Sequence, residues 1–270
     1  MLKKLLKYDL KYVFRYSWLA IVLSLALSVV GGVLVSLIDG KNMPSEMVGI
    51  LMMFIFLIGL CFFAVPALLL ILSFARFYKH LFTDEGYLTF TLPVKLSTQL
   101  NSKLLLYLIV GAVSMATVFT EVALMILVSG NGAEVLDTIG RLLSEAWADG
   151  GALVIVLIFE KILYYFVYQT FMALALYCCI TFASVITKRA RVITAIGLFF
   201  GCAVSYAMLS GFVSIFRSLY FMEKTYELST FREAVVTVMN DGVSILFCSV
   251  FCVLLYILQY RMLDKHLNLS

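Results

Sequence analysis

Residues 18–38, WLAIVLSLALSVVGGVLVSLI, run for 21 positions without a charge. As a helix this stretch measures about 31 Å, the thickness of the hydrocarbon core of a bilayer. It predicts a membrane crossing, and the pattern recurs along the chain. Met47 to Phe74 is a second apolar run, and a kink is expected at its Gly59 and Pro66, because a proline leaves a carbonyl of the preceding turn without its donor. Leu104 to Ser129 is the third, Val192 to Phe216 the fifth and Gly242 to Gln259 the sixth. The fourth run is less even. From Gly151 to Thr187 there are 37 residues, about 55 Å of helix and too long for one crossing. Glu160 and Lys161 leave too short an apolar piece ahead of them, so the crossing is placed at Ile162 to Thr187, with Ala152 to Phe159 packed at the outer surface.

Composition agrees with this reading. The 270 residues are 63% hydrophobic and 13% charged, with 3 prolines and a mean hydropathy of +1.06. Soluble domains sit nearer half apolar and a quarter charged. A disordered chain, a secreted disulfide scaffold and a cytosolic enzyme are all excluded, and one all-α integral membrane domain over residues 1–270 is expected. The six cysteines (Cys61, Cys178, Cys179, Cys202, Cys248, Cys252) lie inside apolar runs and read as small packing residues. His80 and His266 stand far apart, so no histidine metal site is expected.

Six crossings put both termini on one side. That side carries 14 of the 20 Lys and Arg, among them Lys3, Lys4, Lys7, Lys11, Arg15, Arg76, Lys79, Lys95, Lys103, Lys188, Arg189 and Arg191. By the positive-inside rule it is the cytoplasm. The overall charge of +4 then divides into +10 inside and −5 outside, with Glu121 within a span. The basic face suits anionic lipid headgroups, at about 1 kcal/mol per residue near the surface; it does not point to nucleic acid.

The segments outside the spans carry their own patterns. In residues 1–16, Leu2, Leu6, Leu10 and Val13 share one helical face and Lys4, Lys7, Lys11 and Arg15 another, which predicts an amphipathic helix lying flat in the inner interface. A cleaved signal peptide fits less well, because the basic region is long and the apolar stretch spans a full bilayer. Between the third and fourth spans, Val135, Leu136, Ile139, Leu142, Leu143, Ala146 and Trp147 recur at helical spacing and predict a half-buried surface helix. Ahead of the sixth span, Thr230 and Glu233 have capping-box spacing and predict a short outer helix. Residues 75–103, ARFYKHLFTDEGYLTFTLPVKLSTQLNSK, form a cytoplasmic loop in which Phe77, Tyr78, Phe82, Tyr87 and Phe90 alternate with Arg76, Lys79, His80, Asp84 and Glu85. Aromatic residues flanked by charge suit a protein interface; an aromatic belt at the headgroup level is the plainer alternative.

Motifs for a reaction centre are missing. Gly40-Lys41 lacks the upstream glycine of a phosphate-binding loop, and neither HExxH nor GxSxG occurs. One polar stripe remains inside a span: Ser114, Thr117 and Glu121 in the third. An intramembrane acid is either neutral or paired in helix packing, or it lines a transport path. Two stripes of small residues, Ser24, Ser28 and Gly32 in the first span and Gly197, Gly201 and Ser205 in the fifth, allow close helix approach and suit a seam between two copies.

The basic N-terminal helix, the six spans, the segment FYKHLFTDEGYLTFTLPVKLS and the outer helix before the last span together resemble the ABC-2 type permease subunits of bacterial ABC transporters, especially those of Gram-positive bacteria. The resemblance covers the whole chain. It implies a permease without catalytic activity, residing in the cytoplasmic membrane and pairing with a second permease copy, in a homodimer or heterodimer. A separate ABC ATPase would carry ATP and Mg. It implies that Phe77, Tyr78, Phe82, Asp84, Glu85, Tyr87 and Phe90 belong to a coupling element docked on that ATPase. The expected cargo is an amphipathic or lipophilic compound, such as a peptide or antibiotic, passing Thr117, Glu121, Tyr164, Tyr165, Tyr168 and Gln169, although the tyrosines suit an outer belt equally well. A non-transporting anchor or regulator of a cytosolic partner is the alternative.

Overall fold

The computed structural model describes residues 2–39, 44–82, 95–186, 193–201 and 230–266. Six long helices account for most of them: α1 (Leu2–Asp39), α2 (Ser45–Phe82), α3 (Leu96–Ser129), α4 (Gly132–Gly150), α5 (Leu153–Ile186) and α6 (Thr230–His266). Residues 193–201 are also helical, and no strand occurs among the described residues. Five helices, α1, α2, α3, α5 and α6, are long and apolar enough to cross a membrane. Their outward faces present side chains such as Phe63, Phe119 and Leu254 that no other part of the chain covers. Apolar surface on that scale needs lipid.

The helices are longer than the expected spans, and this corrects four boundaries. Residues 1–16 do not form a separate flat helix; they are the first turns of α1, which continues without a break to Asp39. At 38 residues α1 measures about 57 Å, so it extends well beyond a hydrocarbon core. Within the segment 75–103, Ala75 to Phe82 completes α2 and Leu96 to Lys103 begins α3. Leu153 to Phe159 are the first turns of α5, not a separately packed piece, and Ile155, Val156, Ile158 and Phe159 are exposed. The helix expected at Thr230 is the beginning of α6 itself. α2 passes through Pro66 as one helix. Of the fifth expected span only residues 193–201 are described.

The chain falls into two compact units, the first comprising Met1–Leu81 and Asn101–Leu143, the second Phe82–Leu100 and Ser144–Ser270. In the first, Val13, Val65, Leu69, Leu106 and Val110 meet at the core, with Leu6, Leu10, Tyr12, Ala20, Ile21 and Leu72 against them. Asp9 pairs with Arg76 and Gly31 approaches Ile58, so α1 and α2 are antiparallel. Asp9 also pairs with Lys103, and Gly32 meets Val128, so α1 and α3 are parallel. Between them the backbones come very close: a Cβ on Gly32 would stand 2.7 Å from the Met125 carbonyl oxygen and from Val128 Cβ. Only glycine allows that approach.

In the second unit α5 and α6 run parallel. Lys161 pairs with Asp241 near one end, Cys252 Sγ lies 3.8 Å from the Val167 carbonyl, and Gln259 Nε2 donates to Thr181 Oγ1 at 2.8 Å toward the other. Two parallel helices require the intervening chain to return along their whole length. No disulfide joins the described cysteines.

Gly32→Ala should force α1 and α3 apart at a cost of about 1–3 kcal/mol, read as a fall in the apparent melting temperature of the detergent-solubilised protein. Gly197→Ala, where an added Cβ meets nothing within 4 Å, should leave that temperature unchanged.

Candidate functional site

At the end of the first unit where the chain leaves α2 and re-enters α3, three helices are tied by charge. Asp9, on α1, is 2% exposed. Its Oδ1 accepts from Arg76 Nε on α2 at 2.9 Å, and its Oδ2 from Lys103 Nζ on α3 at 2.6 Å. The Lys103 side chain is as deeply buried as the carboxylate. Arg76 also lies over the ring of Tyr12, 4.8 Å from its centroid, one turn along α1 from Asp9. Small buried residues, Ser17 on α1 and Ser73 on α2, donate to their own helices at Val13 and Leu69 and let the backbones close around the ions. Charge-assisted bonds are strong when water is excluded, and losing one member leaves the others stranded.

Composition and periodicity did not single out Asp9, yet its position carried a signal. Leu2, Leu6, Asp9, Val13 and Ser17 follow one another at three- and four-residue steps, so the acid stands on the apolar face of its helix, away from the exposed Lys4, Lys7, Lys11 and Arg15. A charge in that stripe calls for partners.

The expected coupling residues separate. Phe77 is 0% exposed, so its ring is part of the core and is not offered to a partner. Tyr78 and Phe82 are half-buried and reach the surface. Asp84, Glu85, Tyr87 and Phe90 lie outside the described residues. These aromatics therefore belong to the last turns of a membrane-crossing helix as well as to the loop beyond it.

The small residues of α1 are also reassigned. Ser24 and Ser28 are buried and donate to Ile21 and Leu25 carbonyls, while Gly32 is pressed against α3. Gly32 thus belongs to an α1–α3 seam inside the chain, and Ser24 stands beside Glu121 of α3. An added Cβ at Gly197 would meet nothing within 4 Å, and Ser205 lies outside the described residues.

Glu121 stands in the same α1–α3 seam, beside Ser24 and wholly buried. Its carboxyl oxygens meet no described donor in full hydrogen-bond geometry, and the Ser24 hydroxyl is the polar group close enough to interact with them. The neighbouring hydroxyls are committed elsewhere: Ser24 to Ile21, Ser114 to Val110 and Thr117 to Ser114. On α5, in the second unit, Tyr164 and Tyr168 stack with centroids 6.1 Å apart, and Gln169 Nε2 donates to the Tyr165 hydroxyl at 3.0 Å. All four are half-buried, as a helix-borne aromatic ladder should be. A further charged group lies near the start of α5: Lys161 pairs with Asp241 of α6, and buried Glu160 points its Oε1 to within 3.6 Å of a Cβ position on Gly242. No cluster of three or more metal-ligating side chains occurs among the described residues.

No family model, curated protein or solved structure matches the chain.

Asp9→Asn should cost about 3–5 kcal/mol by stranding buried cations, read as a lower melting temperature and weaker membrane expression. Replacing Asp9, Arg76 and Lys103 together by leucine should recover most of that loss, because the ions would then be replaced by packing.

Proposed function

We propose that this chain is the transmembrane subunit of an ATP-driven exporter of the ABC-2 permease type, residing in the bacterial cytoplasmic membrane with both termini inside. The observation that carries the reading is the Asp9–Arg76–Lys103 tie. It joins the base of α1 to the two helices from which the aromatic loop emerges, so a push on that loop would move three helices as one body. In this reading the chain catalyses nothing itself. Hydrolysis of ATP, with its Mg, takes place on a separate ABC ATPase that seats the loop and the last turn of α2.

Six crossings are part of the proposal. The parallel packing of α5 and α6 supports the sixth, since residues 187–229 must then return from one face of the bilayer to the other, and Val192 to Phe216 is the apolar run available to do so. A second copy, identical or similar, would complete the pathway. An amphipathic or lipophilic cargo suits half-buried Tyr164, Tyr165, Tyr168 and Gln169 together with Thr117, while Glu121 is the buried acid most exposed to consequence if the α1–α3 seam opens.

Purification of the tagged chain from its native membrane should bring down a nucleotide-hydrolysing partner. Tyr78→Ala and Phe82→Ala should reduce that partner's coupled hydrolysis severalfold without lowering the melting temperature of the membrane subunit, whereas Phe77→Ala should lower that temperature because its ring is core. A partner without ATPase activity would favour the anchor reading, and no change in hydrolysis with either surface variant would contradict the docking site.

A further inference from the structure

α4 has an apolar face that no described residue covers. Val135, Leu136, Ile139, Leu142, Leu143, Ala146 and Trp147 occupy one side of its 19 residues, and Glu134, Asp137, Arg141 and Glu145 the other. Leu136 is 67% exposed, Leu142 60% and Trp147 53%. On the polar side Arg141 pairs with Asp137 at 3.4 Å, both in the open. A helix so divided, and so bare on its apolar side, is an interfacial element in search of its second phase.

Three observations identify that phase. First, α4 follows the membrane-crossing α3 after only Gly130 and Asn131, and precedes the membrane-crossing α5 by only Gly151 and Ala152. Both joints are built on glycine with positive φ, 84° at Gly130 and 52° at Gly151, a backbone state that lets the chain turn sharply where a span ends. The helix is thus tethered at both ends to the same bilayer surface. Second, the adjoining turns of those spans expose apolar side chains of their own, Leu127 on α3 and Ile155, Ile158 and Phe159 on α5, as lipid-facing turns at a bilayer surface would. Third, the α4 sequence carries four acids, Glu134, Asp137, Glu145 and Asp149, and one base, Arg141, which rules out attraction to anionic headgroups as the driving force.

We infer that α4 lies in the headgroup layer of the bilayer face at which α3 leaves and α5 enters, its Leu136–Ile139–Leu143–Trp147 side buried in lipid by apolar contact alone. It acts there as a float that fixes the depth of both spans. This requires only that α3 and α5 cross the membrane and is independent of the transport reading.

The chain has two tryptophans, Trp18 and Trp147, which makes the test direct. In nanodiscs of zwitterionic lipid, the Trp18→Phe protein reports Trp147 alone; subtracting a Trp147→Phe spectrum from that of the unsubstituted chain gives the same signal without relying on Trp18→Phe. The expected result is blue-shifted emission, resistance to iodide, and about twofold stronger quenching by lipid brominated near the headgroup than near the acyl terminus. Adding anionic lipid should not strengthen the quenching. Iodide-accessible emission without lipid quenching would place α4 in water and overturn the inference. Emission shielded from both iodide and brominated lipid would show protein on that face, a second copy or a partner, and would overturn it equally.

Discussion

Inside a bilayer a charged or polar side chain has no water to turn to, and every such group must find its partner within the protein or at a surface. This constraint organises the molecule. Helices of 34 to 38 residues overrun a hydrocarbon core that about 20 residues would cross, and the strongest charge pairs stand near the overrunning ends. Asp9, Arg76 and Lys103 close one end of the first unit; Lys161 and Asp241 join α5 to α6 near the ends at which those helices begin. Between such ties, contact is made by small residues, by hydroxyls bonded to their own backbone, and by hydrogen bonds between α5 and α6 from Cys178, Cys252 and Gln259. Apolar burial gives little net preference in lipid, so close packing of the kind seen at Gly32 has to hold α1 to α3.

Much of this could be read before any coordinate. The length of the apolar runs located α1, α2, α3, α5 and α6, and the three- and four-residue recurrence from Val135 to Trp147 located α4. What failed was continuity. Periodicity recognises an amphipathic segment such as residues 1–16 but says nothing about whether it bends at Tyr16 into the following span, and no glycine or proline is present there to break it. The same applies to Phe77: an aromatic residue beside Arg76 and Lys79 suits an interface, yet one more helical turn carries it into the core. Stripes of small residues likewise announce a close helix contact without saying whether the neighbour is in the same chain. For Gly32 it is, because α3 supplies Met125 and Val128.

Asp9 illustrates how a functional residue can be missed by counting. Among five basic residues of the first sixteen it looks like one minor offset in a charge tally, and its placement on the apolar face emerges only when the helix is followed through Val13 and Ser17. Once placed, it gives the loop between α2 and α3 a firm base, and it links the two features that the resemblance to ABC-2 permeases rests on, the basic N-terminal helix and the aromatic loop. Glu121 is the opposite case. Its isolation in the third span was plain from sequence, and the structure buries it in the α1–α3 seam with only the Ser24 hydroxyl beside it.

The central claim is that the chain threads the bilayer so that α5 and α6 enter from the same face and the segment joining them crosses back. Single cysteines at Lys188 and Lys224, in a chain whose six native cysteines are replaced, test it most directly when intact cells are treated with a membrane-impermeant maleimide. The account predicts labelling at position 224 from outside and at position 188 only after the membrane is opened. Labelling of both positions under the same condition would contradict it.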